Sequence, residues 1–218
     1  MSTPSIKHAI IVSHPNQRSF TAAVAERYAK TARMIGHEVV VRDLYRLGFN
    51  PVLKAEELPT LGPVALTHDV SRELSLLGGA DVFVLVYPIW FGSPPAMLKG
   101  YIERVLGAGV SYSAMHDRER HPLLSGKKLV SLTSSGANRA WLEERAAWTS
   151  FRNLYDKYLQ HAFQMESTHH YYFENVVPGL APRFVAERLL KVEEAAREVC
   201  ASFVHRPRHG AIAGTAQG

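Results

Sequence analysis

The chain has 218 residues, 46% of them hydrophobic and 21% charged, which suits one soluble domain with a sizeable core and is short for two. No apolar run approaches the roughly 20 residues of a membrane span, and the single cysteine, Cys200, excludes an internal disulfide framework and fits a reducing compartment. The formal charge is +5 with an isoelectric point near 9.4, yet no run of five or six Lys/Arg marks a nucleic-acid surface; a basic protein handling an anionic dinucleotide fits better.

In chain order, the apolar run around Ile10–Val12 is too short for a signal peptide and reads as a strand over Ile6–Ser13, so a cytoplasmic protein is expected. Phe20, Val24, Tyr28, Thr31 and Ile35 recur at helical spacing, and Gly36 can end that helix. Glu38–Arg42 is a second, valine-rich strand. Thr67–Leu77 reads as a helix stopped by Gly78-Gly79. Asp81–Tyr87 is nearly all apolar, as in a central strand covered on both faces. Pro95 opens a helix over Ala96–Leu106. Lys127–Thr133 is a fourth strand, Arg139–Gln160 a long helical stretch and Met165–Phe173 a fifth strand. Pro182 begins a last helix to about Phe203. The spacing predicts a doubly wound α/β domain over residues 1–204, with five parallel strands and helices on both faces, and a disordered tail over 205–218.

Ligands bind at the carboxyl ends of strands in such sheets. Three of those ends carry unusual sequence. The first, Ser13 to Thr21, is small and polar and runs into a helix. Its amides and the Ser19 and Thr21 hydroxyls suit a phosphate, with charge from His14 and Arg18; the alternative is an ordinary loop capped by Ser19. The second, Pro88 to Ala96, sets Trp90 and Phe91 among three prolines, a rigid apolar wall for a planar ring, unless both aromatics are core. The third, Thr133 to Asn138, is small enough for close backbone approach, or is a mere turn. Together they describe a flavin site: phosphate at the first loop, ring between the other two. GxGxxG, GxxxxGK[ST] and GxSxG are all absent, which removes the Rossmann, P-loop and common hydrolase classes.

SHPNQRSFT, DLYRLGFNPVL (Asp43–Leu53), YPIWFGSPPAMLKGYIERVL (Tyr87–Leu106), SYSAMHD and SGKKLVSLTSSG resemble, in order and spacing, motifs of the flavodoxin-like NAD(P)H:quinone oxidoreductases, the DT-diaphorase family with its bacterial relatives. The resemblance runs through most of residues 6–180. It implies a homodimer with the active site at the subunit interface, and two-electron, ping-pong transfer from NADH or NADPH through FMN or FAD to a quinone or another flat, electron-poor acceptor. By the same resemblance, His14, Ser19, Phe20 and Thr21 hold the flavin phosphate region. Pro88, Ile89, Trp90, Phe91 and Gly92 form the loop that meets the ring. Thr133, Ser134, Ser135 and Gly136 bond its pyrimidine edge, and Tyr112 lines the substrate pocket. A Tyr/His relay of the best-known members falls on Trp141 and Ala147, neither of which relays a proton, so amides at Ser135 and Gly136 are expected to serve instead. Alternatives within the resemblance are a nitro or azo reductase and a regulatory subunit docked on a potassium-efflux transporter; an electron-carrier flavodoxin is disfavoured by the +5 charge.

No metal site is expected. His169 and His170 are neighbours on a strand and point to opposite faces, and His116 and His121 share a loop without metal-type spacing. Cys200 reads as a small core residue, and Trp141, Trp148, Tyr155 and Tyr158 as core or dimer-interface residues.

Overall fold

The structure, a computed structural model, describes residues 5–59, 65–111, 113, 115, 117 and 120–203. Five strands, β1 (Lys7–Val12), β2 (Glu38–Asp43), β3 (Val82–Pro88), β4 (Lys128–Ser134) and β5 (Ser167–Phe173), form one parallel sheet in the order β2-β1-β3-β4-β5. This is the order of flavodoxin-like sheets, in which the winding reverses between β1 and β3. Both central strands β3 and β4 are buried at every residue, which is why Val82–Tyr87 is a continuous apolar run.

Strand alternation divides the core in two. Ile10, Val12, Val84, Val86, Val130 and Leu132 pack beneath α1 (Phe20–Met34) and α7 (Pro182–Ala201). Ala9, Ile11, Phe83, Leu85, Tyr87 and Leu129 pack on the other face, beneath α2 (His68–Leu77), α3 (Ala96–Tyr101), α5 (Ala147–Arg152) and α6 (Tyr158–Ala162). The sheet is therefore covered on both sides, as the alternating pattern predicts. No helix among the described residues is long and apolar enough to cross a membrane. The tail expected to be disordered, residues 205–218, lies outside the described residues.

The long helix expected over Arg139–Gln160 is instead four pieces. It begins as α4 (Arg139–Glu144), breaks at Ala146, which adopts φ 53°, and resumes as α5, a π-helical turn over Asn153–Lys157, and α6. A non-glycine residue there costs about 1 kcal/mol. The break turns Trp148 and Phe151 inward. Trp148 then sits 5.0 Å, centroid to centroid, from both His170 and Tyr172 of β5, while α4 buries nothing.

The connection after β2 clamps α3. The backbone of Pro51 lies so close to Gly100 that a Cβ added there would meet the Pro51 carbonyl oxygen at 2.1 Å, so only glycine fits this helical position. A π-helical turn, Ile102–Leu106, continues α3 and carries Arg104. The fully buried Arg104 guanidinium donates to the Asn50 carbonyl, to both Glu57 oxygens (2.8 and 2.7 Å) and to Asp69, and lies over the Phe49 ring. Asn50, Glu57 and Asp69 are thereby fastened to the helix that follows the second loop.

Candidate active site

The first loop leaves β1 at Ser13, whose amide still pairs with the Val86 carbonyl of β3 (3.0 Å). The Ser13 hydroxyl is fully buried and has no hydrogen-bond partner among the described residues. An orphaned buried hydroxyl is costly unless something else satisfies it. Ser19 caps α1, its Oγ accepting from the Ala22 amide at 3.1 Å, and its hydroxyl proton remains available to donate outward. Capping and anion binding are thus compatible here, and the first amides of the 15-residue α1 have no partner within the helix. His14 Nδ1 accepts from the Asn16 amide (3.0 Å), which places the imidazole proton on Nε2; partial burial lowers its pKa. His14 therefore offers a neutral N–H donor where a charge was expected. Phe20 stacks edge-on against Phe173, at 5.6 Å, and Thr21 is buried.

In the second loop, Trp90 and Ser93 exchange two backbone hydrogen bonds of 3.0 Å around Phe91-Gly92, whose φ values are 50° and 75°. This is a primed hairpin turn, a geometry that favours Asn-Gly. Phe91 occupies the strained position and is fully exposed; Trp90 is 40% exposed. Neither aromatic is core. Pro88 is buried, and Ile89, half-buried, donates its amide to the Ser134 carbonyl (2.8 Å), which ties the second loop to the third. The Trp90 ring lies 5.5 Å from that of His14, which ties it to the first. The three strand-end loops therefore meet over β1, β3 and β4.

The third loop is held from β5. Thr133, Ser134 and Ser135 have little freedom. Ser135 Oγ bonds the Tyr172 hydroxyl at 2.6 Å and accepts from the Ala137 amide; its own amide donates to the Phe173 carbonyl at 3.2 Å. The expectation that Ser135 offers a free amide is corrected by this pairing with β5, and Gly136 is left as the candidate donor. Thr133 points inward. Its Oγ1 is 2.7 Å from His170 Nε2, and His170 Nδ1 is 2.7 Å from Asp156 Oδ2, with Ser131 Oγ donating to Asp156 Oδ1. Burial opposes ionisation of Asp156, but the hydrogen bonds from His170, Ser131 and Arg152 outweigh it and lower its pKa. The carboxylate therefore accepts the Nδ1 proton of His170 and fixes the ring. This Asp156–His170–Thr133 chain was not foreseen from the sequence, because the three residues lie on a helical turn and two strands.

The flavodoxin-like fold family matches residues 6–197. The chain belongs to that family. A match of 38% identity over 134 residues, 61% of this chain and 66% of the relative, links it to an uncharacterized NAD(P)H oxidoreductase of Haemophilus influenzae. NAD(P)H dehydrogenase [quinone] 1 of Rattus norvegicus is 30% identical over 61% of this chain and 55% of its own. The chain thus spans two thirds or less of these relatives' lengths. Among solved structures, an NAD(P)H:quinone oxidoreductase from Methanothermobacter marburgensis superposes with a TM-score of 0.76 at 25% identity, over 95% of this chain and 100% of that one. An FMN-dependent NADH-azoreductase from Bacillus anthracis shares the fold, with a TM-score of 0.64 at 18% identity over 88% and 99%.

For a flavodoxin-like protein, the meeting point of the three loops lies at the β1/β3 reversal, where ligands of such sheets bind. Tyr112 and His116 lie outside the described residues. Trp141 is exposed on α4, whereas Trp148 is buried against β5. His169 is exposed and His170 is turned inward, as alternation requires.

Proposed function

We propose that the protein is a flavin-dependent NAD(P)H:quinone oxidoreductase, with quinones or other flat, electron-poor molecules as acceptors. The observation that carries this reading is the convergence of an orphaned buried Ser13 hydroxyl, an open helix N-terminus and an unpacked Trp90-Phe91 wall at one sheet reversal. A bound flavin supplies the ring that takes up hydride from a nicotinamide and passes it on. The chain's own residues do the rest. His14 Nε2, Ser13, Ser19 and the first α1 amides offer donors to the phosphate end. Phe91 and Trp90 would cover an apolar ring and exclude water. The Gly136 amide, in a loop held by Ser135–Tyr172 and Thr133–His170, would donate to a polar ring edge. One site serving nicotinamide and acceptor in turn would give ping-pong kinetics. We also assign a homodimer and a cytoplasmic location to this reading. Steady-state kinetics with NADH or NADPH against a benzoquinone tests it: parallel double-reciprocal lines are expected, and the absence of quinone reduction with either donor contradicts the assignment. Trp90→Ala is expected to slow turnover by roughly a hundredfold, the cost of mispositioning by about 1 Å.

A further inference from the structure

At the opposite end of the sheet, where the strands begin, three potential ligands converge. His8 is the second residue of β1, His37 immediately precedes β2, and Cys200 lies near the end of α7. His8 Nε2 is 2.9 Å from His37 Nδ1 and 3.9 Å from Cys200 Sγ, and all three atoms lie within 4.8 Å of one another. His8 and Cys200 are buried, while His37 is half-buried and gives solvent a way in.

We propose that His8, His37 and Cys200 form a binding site for one zinc ion, with a fourth position open to water. The donor set is of the type zinc takes, two imidazole nitrogens and a thiolate. Bond lengths of about 2.0 Å to nitrogen and 2.3 Å to sulfur, in tetrahedral array, require roughly 3.3 Å between the nitrogens and roughly 3.5 Å from nitrogen to sulfur. The two distances from His8 Nε2 therefore differ from those of a loaded site by only about 0.4 Å. His8 is already oriented from behind. Its Nδ1 is 3.2 Å from the hydroxyl of the fully buried Tyr28, which accepts the Nδ1 proton when Nε2 turns its lone pair to a metal.

Protonation suits this role. Burial, first, and the neighbouring His37 lower the His8 pKa to about 4, so its lone pair is free near neutral pH. Burial raises the Cys200 thiol to about 11, so zinc must displace its proton on binding. The carboxylate of Asp81 lends negative potential beside His37; among nearby cations, Lys7 Nζ pairs with Glu38, Lys127 Nζ with Asp81 and Lys128 Nζ with Glu166. The site lies at the far end of β1 from the three loops, so it stands apart from the oxidoreductase reading.

Isothermal titration of the tag-free protein with zinc, after chelator treatment, is the test. One zinc per chain is expected. Cys200→Ser and His37→Ala should each weaken it by about tenfold or more, and Tyr28→Phe by about tenfold through the imidazole it orients. His37→Ala, at a half-buried position, keeps the test decisive if Cys200→Ser does not fold. A protein that takes up no zinc, or binds it equally after His37→Ala, overturns the proposal.

Discussion

At Phe91 the chain holds a bulky side chain in a left-handed turn position and leaves its ring in solvent. No packing among the described residues repays that arrangement, and strain of this kind is often kept for a ligand. Phe91→Asn places a residue suited to this turn and loses no packing. It is expected to stabilise the flavin-free protein by about 1 kcal/mol in denaturant unfolding while weakening flavin binding in fluorescence titration. A loss of stability would show that the turn is not strained. At His170 the expectation is the reverse. His170→Ala removes one partner each from the buried Asp156, which keeps Ser131 and Arg152, and from Thr133, and costs about 3 kcal/mol at neutral pH. The native Asp156 pKa lies below its unfolded value, so its contribution is full above that unfolded value and is lost as pH falls through the folded one. Urea midpoints at pH 7 and at about pH 2.5, below the ordinary aspartate value of about 3.9, check both sign and size. The exposed pair Trp90-Phe91 was legible in the sequence, because aromatics between prolines at a strand end have no helix or strand to bury them. His170 was not, because its carboxylate comes from a helical turn that no spacing ties to β5.

The strands and most helices were legible for a simple reason. Buried parallel strands leave continuous apolar runs, and the one-sided helices α1 and α7 repeat at helical spacing. The break in Arg139–Gln160 was not, since Ala146 carries no glycine or proline to mark it; packing of Trp148 on β5 imposes it. The described part of the connection after β2 shows the same dependence on tertiary contact, since Asn50, Glu57 and Asp69 serve the Arg104 clamp. The hydrogen bonds of Arg104, opposed by burial, lower the Glu57 pKa to about 2. Arg104→Met should cost about 3–5 kcal/mol at pH 7, because Glu57 is left charged and buried. In the variant burial would raise the Glu57 pKa above its unfolded value, so that penalty shrinks as pH falls through the raised value and is gone near the unfolded value of about 4.5. Chemical denaturation of both proteins from pH 7 to pH 3 should show the gap narrowing; a constant gap would mean the clamp is not electrostatic.

For the whole molecule, the proposed homodimer has a surface to form on. An apolar groove of about 350 Å³ between α3 and α6 is lined by Ile102, Val110, Met115 and Phe163, with Leu154 and Tyr158 60% and 57% exposed beside it. Patches of this kind mark interfaces. Leu154→Glu should convert a sedimenting dimer to a monomer, whereas a wild-type monomer with full quinone reductase activity would refute a shared site. The proposed flavin is tested by the absorption spectrum and mass of whatever is released from the purified protein, followed by titration of the stripped chain with FMN and FAD. A yellow protein with one flavin per chain is expected. A colourless protein that takes up neither would contradict it.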